Sequence, residues 1–349
     1  MLTQNNPDEN PIGIDAAPTL EQVDGICARV LEGGEATEDE LASLLDVEPG
    51  TEQANVLDRA QETLARRGNG GLGYVYAQIG IDANPCPGNC HFCNFAACNG
   101  LVRGSAEMPF DQILHLCELF AQNGVHLISV MSSVAYRFER YLKLMELLRD
   151  AVGDDVALMA NTRDLSPDEA QALADAGADC LYHAVRLGEG VITGLDEATR
   201  WETLANARAA GLAISTAVGP LYQPVSPDGP YYQTKKQIVE RIMQAIALQP
   251  ICSGVTSLRA VPGTKMAQVK PCPPEKMGVL GGVFQLAARD TIPHGGYRSI
   301  HWVDAGRDPR ERGYASDDAR LTRRIDEAYR ELEADEWKVA PPGSMSYRK

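Results

Sequence analysis

The sequence predicts an α/β fold, a TIM-like β/α barrel (complete or partial) with an N-terminal helical extension. Two observations carry this. Seven short apolar runs alternate with amphipathic helical segments, and a run apolar on both faces followed by a helix is how a buried parallel strand reads. One phrase also recurs, helix then glycine then buried strand, in "ADAGADCLYHA" and "ARAAGLAISTA". An open doubly wound sheet is the alternative, but repeats this uniform favour the barrel.

The chain opens on residues 1–17, polar and acidic, expected to be flexible. Residues 18–70 hold N-terminal helices. "TLEQVDGICARVLEGG" and "TEDELASLLDV" each begin on a threonine with an acid or amide close behind, as N-caps do. "GTEQANVLDRAQETLARRG" follows and is expected to stop at Gly68. The barrel is assigned to 71–310, with strands at 74–81, 126–131, 156–161, 180–185, 213–218, 254–261 and 297–303. Helices are expected at about 109–123, 135–151, 167–176, 197–210, 235–248 and 275–289, the third opening on a capping box from Ser166 to Glu169. Residues 311–349 hold a charged helix and a tail, with no clear eighth strand before them.

The formal net charge of −16 over 349 residues repels phosphate backbones, so nucleic acid is not an expected partner. No apolar run approaches the ~20 residues that cross a bilayer, and the first residues lack the basic and apolar regions of a signal peptide. A cytoplasmic protein without a membrane partner is the expectation.

Of nine cysteines, four crowd into "NPCPGNCHFCNFAACNG". Cys86, Cys90 and Cys93 stand at C-x3-C-x2-C just after the first strand, and Cys98 follows. In a parallel barrel that position is the rim where ligand loops sit. Pro85, Pro87 and Gly88 bend the loop and can turn several thiolates toward one point. A disulfide framework is not expected in a large, well-cored chain. Zinc would want a fourth ligand, for which Cys98 is available. An iron–sulfur cluster held by three cysteines would keep one iron open, and the missing second C-x2-C pair favours it. Cys27, Cys117, Cys180 and Cys252 read as small buried hydrophobes. Cys272, in "KPCPPEK", reads as exposed loop.

"CPGNCHFC" resembles the signature of the radical SAM superfamily, with Phe92 as the aromatic before the last cysteine. The likeness runs from about residue 20 to 310. It is closest in layout to the biotin synthase-like group, in particular its hydrogenase-maturase and methylornithine synthase branches. "ADAGADCLYHAVRLGEGVITG", "ETLANARAAGLAISTAVG", "RAVPGTKM" and "YRSIHWVDAGR" carry it, in that order. The resemblance implies a [4Fe–4S] cluster on Cys86, Cys90 and Cys93. It implies S-adenosylmethionine chelated to the open iron and cleaved by one electron to methionine and a 5′-deoxyadenosyl radical. A small-molecule substrate or carrier-bound precursor, and a reductant such as flavodoxin or ferredoxin, are the partners it implies.

Residue by residue, the resemblance puts Phe92 beside the adenine and Ser132 and Ser133 at the methionine-binding edge. The chain reads "VMSSV" there rather than a GGE-type motif, so backbone edges must do that work. Arg186 could pair with the S-adenosylmethionine carboxylate; the alternative is a rim arginine held by Glu189, which is carried with it on the cofactor side. Gly219 and the "VPGT" turn from Val261 match the adenine side. Asn161, Thr216, Arg259, His301 and Trp302 are polar or aromatic candidates inside the barrel, and Asn161, Arg186 and Arg259 are the ones expected to be catalytic. "GPLYQPVSPDGPYYQ" reads as a lid or a long surface loop. His183 reads equally as a satisfied core histidine.

Biotin synthase carries a second cluster on cysteines of its second, third and fifth strands and an arginine on a late strand. This chain has no cysteine in "LISVMSS", "ALMANT" or "AISTAVG", and Trp302 stands near the arginine's place. The resemblance therefore does not extend to biotin synthase activity. Sulfur insertion would need an auxiliary cluster from Cys98, Cys252 and Cys272. A non-catalytic zinc or cluster scaffold is the other alternative.

Overall fold

A computed structural model of the protein describes residues 16–289, 299–306 and 317–345. The start of the segment expected to be flexible, Tyr297 and Arg298 of the last expected strand, and Arg307 of "YRSIHWVDAGR" lie outside these residues.

In chain order the elements are α1 (Leu20–Leu31), α2 (Glu38–Leu44), α3 (Glu52–Gly68), β1 (Leu72–Gly80), β2 (Asp82–Ala83), β3 (Ala106–Glu107), α4 (Phe110–Gln122), β4 (Leu127–Met131) and α5 (Phe138–Val152). There follow β5 (Ala157–Asn161), α6 (Pro167–Asp175), β6 (Cys180–Tyr182), α7 (Glu197–Ala209), β7 (Ala213–Ser215), β8 (Val218–Leu221), α8 (Lys235–Ala247), β9 (Val255–Ser257) and α9 (Pro274–Ala288). The last are β10 (Ile300–Asp304), α10 (Asp318–Ala334) and β11 (Lys338–Val339).

The helices begin where cap chemistry places them. Thr19, Thr37 and Ser166 each close a reciprocal capping box with the residue three positions on, which satisfies two otherwise unpaired donors. The stop after α3 differs from the expectation. The helix continues through Gly68 to a cap at Asn69, and Gly70 and Gly71 turn the chain at φ of 65° and 73°. Those values favour glycine, so the pair after the helix makes the turn.

The chain divides into two compact units. The described parts of Leu72–His183, Gly194–Ser215 and Arg298–Lys349 form one; those of Met1–Gly71, Ala184–Thr193 and Thr216–Tyr297 form the other.

The first unit carries a seven-stranded sheet in the order β10-β1-β4-β5-β6-β7, with β11 also paired to β1. Every pairing in it is parallel. This is the β/α-barrel class in its partial form. The register gives the two faces different characters. Val75, Ala77, Ile79, Ile128, Val130, Leu158, Ala160, Leu181, Ile214 and Val303 share one face and are all buried. The other face carries Tyr76, Leu127, Ser129, Met159 and Cys180, which are buried, and Gln78, Met131, Asn161, Tyr182, Trp302 and Asp304, which are partly or fully exposed. The second face is therefore open mainly toward the C-terminal ends of the strands, at Met131, Asn161, Tyr182 and Asp304.

His301 departs from this pattern. It pairs in register with Val75, on the dry face, and its Nδ1 lies 2.8 Å from Glu331 on α10. Its expected place inside the barrel is corrected by strand parity. Trp302, one residue on, does face the open side, packed edge-on against Tyr76 at 5.1 Å between ring centres.

The tail holds a strand that the sequence did not show. β11 adds to the start of β1, and Ala340 N–H then donates to Gly73 O (2.9 Å) and Gly343 N–H to Asp155 O (2.9 Å). A two-residue strand has no periodicity to read.

The second unit packs α1, α2, α3, α8 and α9 around an apolar core that includes Leu41, Leu44, Leu57, Ile238, Leu280 and Phe284. The expected strand 213–218 splits here. Its first half is β7, while Val218–Leu221 pairs with β9 in a separate two-stranded parallel sheet. Cys272 belongs to this core, 7% exposed, rather than to an exposed loop. The Pro- and Tyr-rich segment is anchored more than a free lid would be. Its start is strand β8, Gln223 N–H donates to Lys270 O (2.9 Å), and Gln233 Nε2 donates to Pro220 O (2.8 Å).

Candidate active site

The cysteine loop follows β1, and its ends are tied together. β2 and β3 pair antiparallel, Asp82 opposite Glu107 and Ala83 opposite Ala106. The 22-residue stretch between them, 84–105, is thereby closed at its base. Within it the backbone is self-satisfied. Cys86 N–H donates to Phe95 O (2.7 Å), Ala97 N–H to Cys86 O (3.0 Å) and Cys93 N–H to Cys90 O (3.0 Å). Asn99 Nδ2 donates to Cys93 O at 2.8 Å and to Cys90 O at 3.3 Å. The loop's shape is thus held by hydrogen bonds that use none of the three thiols as the only support.

None of the nine cysteines is in a disulfide. Cys86, Cys90 and Cys93 are all partly exposed, whereas Cys27, Cys117, Cys180 and Cys272 are buried. Burial pushes the Cys27 thiol up to about 11 and raises Cys117 and Cys272 as well. Buried thiols of that kind stay neutral and unreactive, so thiolate chemistry belongs to the loop.

Gly88 marks what the loop packs against. A Cβ there would lie 3.4 Å from Cys86 Sγ, 3.5 Å from Leu195 and 3.6 Å from Val134. The same contacts place the segment after β4 against the cysteine loop. Among the described residues, no group of three or more His, Cys, Asp or Glu side chains converges as on a single metal ion. Soft sulfur donors on a preformed loop fit an iron–sulfur cluster, whose thiolates bind separate irons.

The ends of the neighbouring strands carry a connected polar chain. Asp82 Oδ1 accepts Ser133 N–H (2.7 Å), and Ser133 Oγ donates to Asp82 Oδ2 (2.5 Å). Asn84 Nδ2 also donates to Asp82. Ser132 N–H donates to Asn161 O (2.9 Å), and Ser132 Oγ to Thr162 Oγ1 (3.0 Å). The structure thus brings Ser132, Ser133 and Asn161 together at the C-terminal ends of β4 and β5. Burial raises the Asp82 carboxyl above its usual range, against the hydrogen bonds from Ser133 and Asn84 that favour the charged form.

His183, after β6, donates from Nε2 to Asp164 Oδ1 (3.0 Å), which also accepts Arg200 Nη1 (3.1 Å). Burial works against the Asp164 charge, but His183 and Arg200 outweigh it and hold the carboxyl below the usual range. His183 is fully buried, as a histidine tied into the core would be.

The remaining site candidates apart from Phe92 lie in the second unit. Arg186 lies beyond the three-residue strand β6 rather than in it. Its backbone N–H donates to Glu189 Oε2 (2.9 Å), and its Nη1 is 3.6 Å from the same oxygen. Glu189 is fully buried and also accepts Thr193 Oγ1 (2.6 Å). Gly219 sits inside β8, and the close approach there is to Thr256 of β9: a Cβ would meet its Oγ1 at 2.2 Å and its O at 2.6 Å. Val261 O accepts Thr264 N–H (3.2 Å) and Oγ1 (2.8 Å), a closed turn. Arg259 lies two residues past β9, exposed, and Thr216 is buried. Phe92 stays in the cysteine loop, partly buried.

Four residues escaped the sequence reading: Asp82, Gln78, Tyr182 and Asp304. The last three were legible in principle, since strict strand alternation puts Gln78 on the face of Tyr76. Asp82 was not, because its partner Ser133 is 51 residues away.

Known proteins agree with this geometry. Residues 82–230 match the family described as the radical SAM superfamily. Biotin synthase of Acidothermus cellulolyticus is 27% identical over 288 residues, covering 80% of this chain and 82% of that protein. Biotin synthase of Desulforudis audaxviator is 25% identical over 293 residues, covering 80% and 84%. The crystal structure of methylornithine synthase (PylB) superposes with a TM-score of 0.72 at 15% identity, covering 90% of this chain and 97% of that one. HydG, a maturase of the [FeFe]-hydrogenase, superposes at 0.64 with 15% identity, over 78% of this chain and 62% of its own. These two likenesses concern the fold. Among the described residues no helix is long and apolar enough to cross a membrane. The motif, the parallel sheet behind it and the match over residues 82–230 agree on a radical SAM domain, and with the similarity to biotin synthases they make the chain a radical SAM enzyme.

Proposed function

We propose that this enzyme holds a [4Fe–4S] cluster on Cys86, Cys90 and Cys93 with S-adenosylmethionine beside it. Its reaction abstracts hydrogen from a small-molecule or cofactor-precursor substrate in a biosynthetic step. The observation that carries this is the self-bonded thiol loop, closed at its base by β2 and β3, at the C-terminal end of β1. When bound, the cluster and S-adenosylmethionine supply reductive carbon–sulfur cleavage and hydrogen-atom abstraction.

The chain's own residues do the rest. Ser132 and Ser133, held at the end of β4 by bonds to Thr162 and Asp82, are assigned to the methionine side of S-adenosylmethionine. Gln78, Asn161, Tyr182, Trp302 and Asp304 are the exposed or partly exposed positions that this face of the sheet offers the substrate. Phe92 is assigned to stack beside the nucleoside. In the second unit Arg186, buttressed by Glu189, is assigned a carboxylate. Gly219 and Val261 are assigned to the nucleoside, and exposed Arg259 to an anionic substrate group.

The test is anaerobic reconstitution with iron and sulfide, iron counting, and EPR of the reduced protein with and without S-adenosylmethionine. About four irons per chain and a spectrum altered by S-adenosylmethionine are expected. Cys86→Ser, Cys90→Ser or Cys93→Ser each removes most of the iron, while Cys98→Ser keeps it. About eight irons would overturn the single-cluster reading in favour of sulfur insertion with an auxiliary cluster. Tightly held zinc without iron would overturn the radical reading.

A further inference from the structure

Two asparagines of the cysteine loop use their side chains in opposite senses. Asn99 is a donor. Its Nδ2 donates to Cys93 O (2.8 Å) and to Cys90 O (3.3 Å), with His91 O at 3.5 Å. Asn89 is an acceptor. Its Oδ1 accepts the Cys98 N–H (2.9 Å), and its backbone has the left-handed φ of 47° that asparagine and aspartate adopt more readily than most residues. The partners fix which end of each amide is which. Only an N–H can be aimed at carbonyls, and only an oxygen can accept an N–H.

Asn99 acts where the loop must hold its shape. Cys93 N–H donates to Cys90 O (3.0 Å), which closes the turn between the second and third thiols of the motif. Ala96 N–H donates to Cys93 O (3.2 Å), which closes the turn after it. The Asn99 amide reaches back six and nine residues and bonds the carbonyl that anchors each turn. Thiolates that bind separate irons of one cluster must converge at a fixed spacing. A loop ordered beforehand loses less conformational freedom when it binds.

We propose that Asn99 is a positioning residue for the cluster. Its amide holds the Cys90–Cys93 turn in the binding shape, acting on the carbonyls of two ligand residues rather than on iron or sulfur. This inference rests on the reading above, in which Cys86, Cys90 and Cys93 hold a [4Fe–4S] cluster.

The same substitution at the two asparagines separates donor from acceptor. Asn99→Asp keeps the size, removes the N–H donors and sets a carboxylate against two carbonyl oxygens. Asn89→Asp keeps the acceptor that Cys98 N–H needs. The full chain is reconstituted anaerobically with iron and sulfide, and release of iron to excess ferrozine is followed by absorbance. Asn99→Asp is expected to release iron about ten- to a hundredfold faster than wild type, and Asn99→Ala about three- to tenfold faster. Asn99→Gln, which keeps the donor on a longer arm, should fall between wild type and Asn99→Ala. Asn89→Asp should stay within about twofold of wild type.

A side chain that merely filled space would give the reverse order, with Asn99→Ala fastest and the isosteric Asn99→Asp close to wild type. That order would overturn the proposal. So would equal acceleration by both aspartate variants, which would show that any charge in the loop suffices. Circular dichroism melting checks the fold of each variant. Where Asn99→Asp folds poorly, Asn99→Gln against Asn99→Ala decides, and faster release from Asn99→Gln overturns the proposal. The two readings fail separately. A wild type that takes up no iron fails the function. A four-iron wild type that releases iron no more slowly than Asn99→Asp fails only the role of Asn99.

Discussion

Arg149 on α5 reaches under the start of the sheet with every part of its guanidinium engaged. It donates to Gly177 O at 3.0 and 3.1 Å, to Val156 O at 3.1 Å, and to Asp179, whose side chain is fully buried. Asp179 Oδ2 in turn accepts Leu158 N–H (2.7 Å). Removing one partner of such a pair strands a buried charge, at a cost of about 3–5 kcal/mol. Arg149→Met is accordingly expected to lower the free energy of unfolding by that amount in urea titrations. A change below about 1 kcal/mol would mean the pair is solvated as a surface bridge is. The contrast with the cysteines is instructive. The spacing that groups Cys86, Cys90 and Cys93 is a local pattern. Arg149 and Asp82 act on groups brought near only by folding, and nothing in their sequence surroundings marks them.

At the scale of elements, β11 and the residues after it form a latch on the start of the sheet. Val75 N–H donates to His126 Nδ1 (3.0 Å), and His126 Nε2 bonds Ala340 O (2.8 Å). The ring is neutral in this arrangement, because Nδ1 is an acceptor. Burial lowers its pKa from the ordinary 6.5. With a depressed folded value, the unfolded chain takes up the proton first as pH falls. The contribution is therefore complete above about 6.5 and is lost as pH drops through the folded value. Urea midpoints measured between about pH 7 and pH 5 should fall for the wild type and fall less for His126→Gln, which cannot titrate there. Parallel slopes would show that His126 is not the group responsible. Elements with long periodic patterns, such as α5 and α10, were legible from the sequence. The split of 213–218 into β7 and β8 was not, since both halves are equally apolar and only partner choice separates them.

For the whole molecule, the net charge of −16 sets how it meets other polymers. Duplex DNA or RNA at about 50 mM salt should show no mobility shift with this protein, because phosphate and protein repel each other. A shift reversed by salt would point to a basic patch that the total conceals. The fold class and the cluster motif were both available before any coordinates. Helix caps, apolar periodicity and C-x3-C-x2-C are relations among residues a few positions apart, and local chemistry suffices to enforce them. The two-faced sheet, the tail strand on β1, the burial of Cys272 and the Asp82–Ser133 pair are relations across tens to hundreds of residues. They depend on register and packing, which no local pattern carries. A one-residue change of strand parity moved His301 from the expected interior to α10 and left Trp302 on the open face.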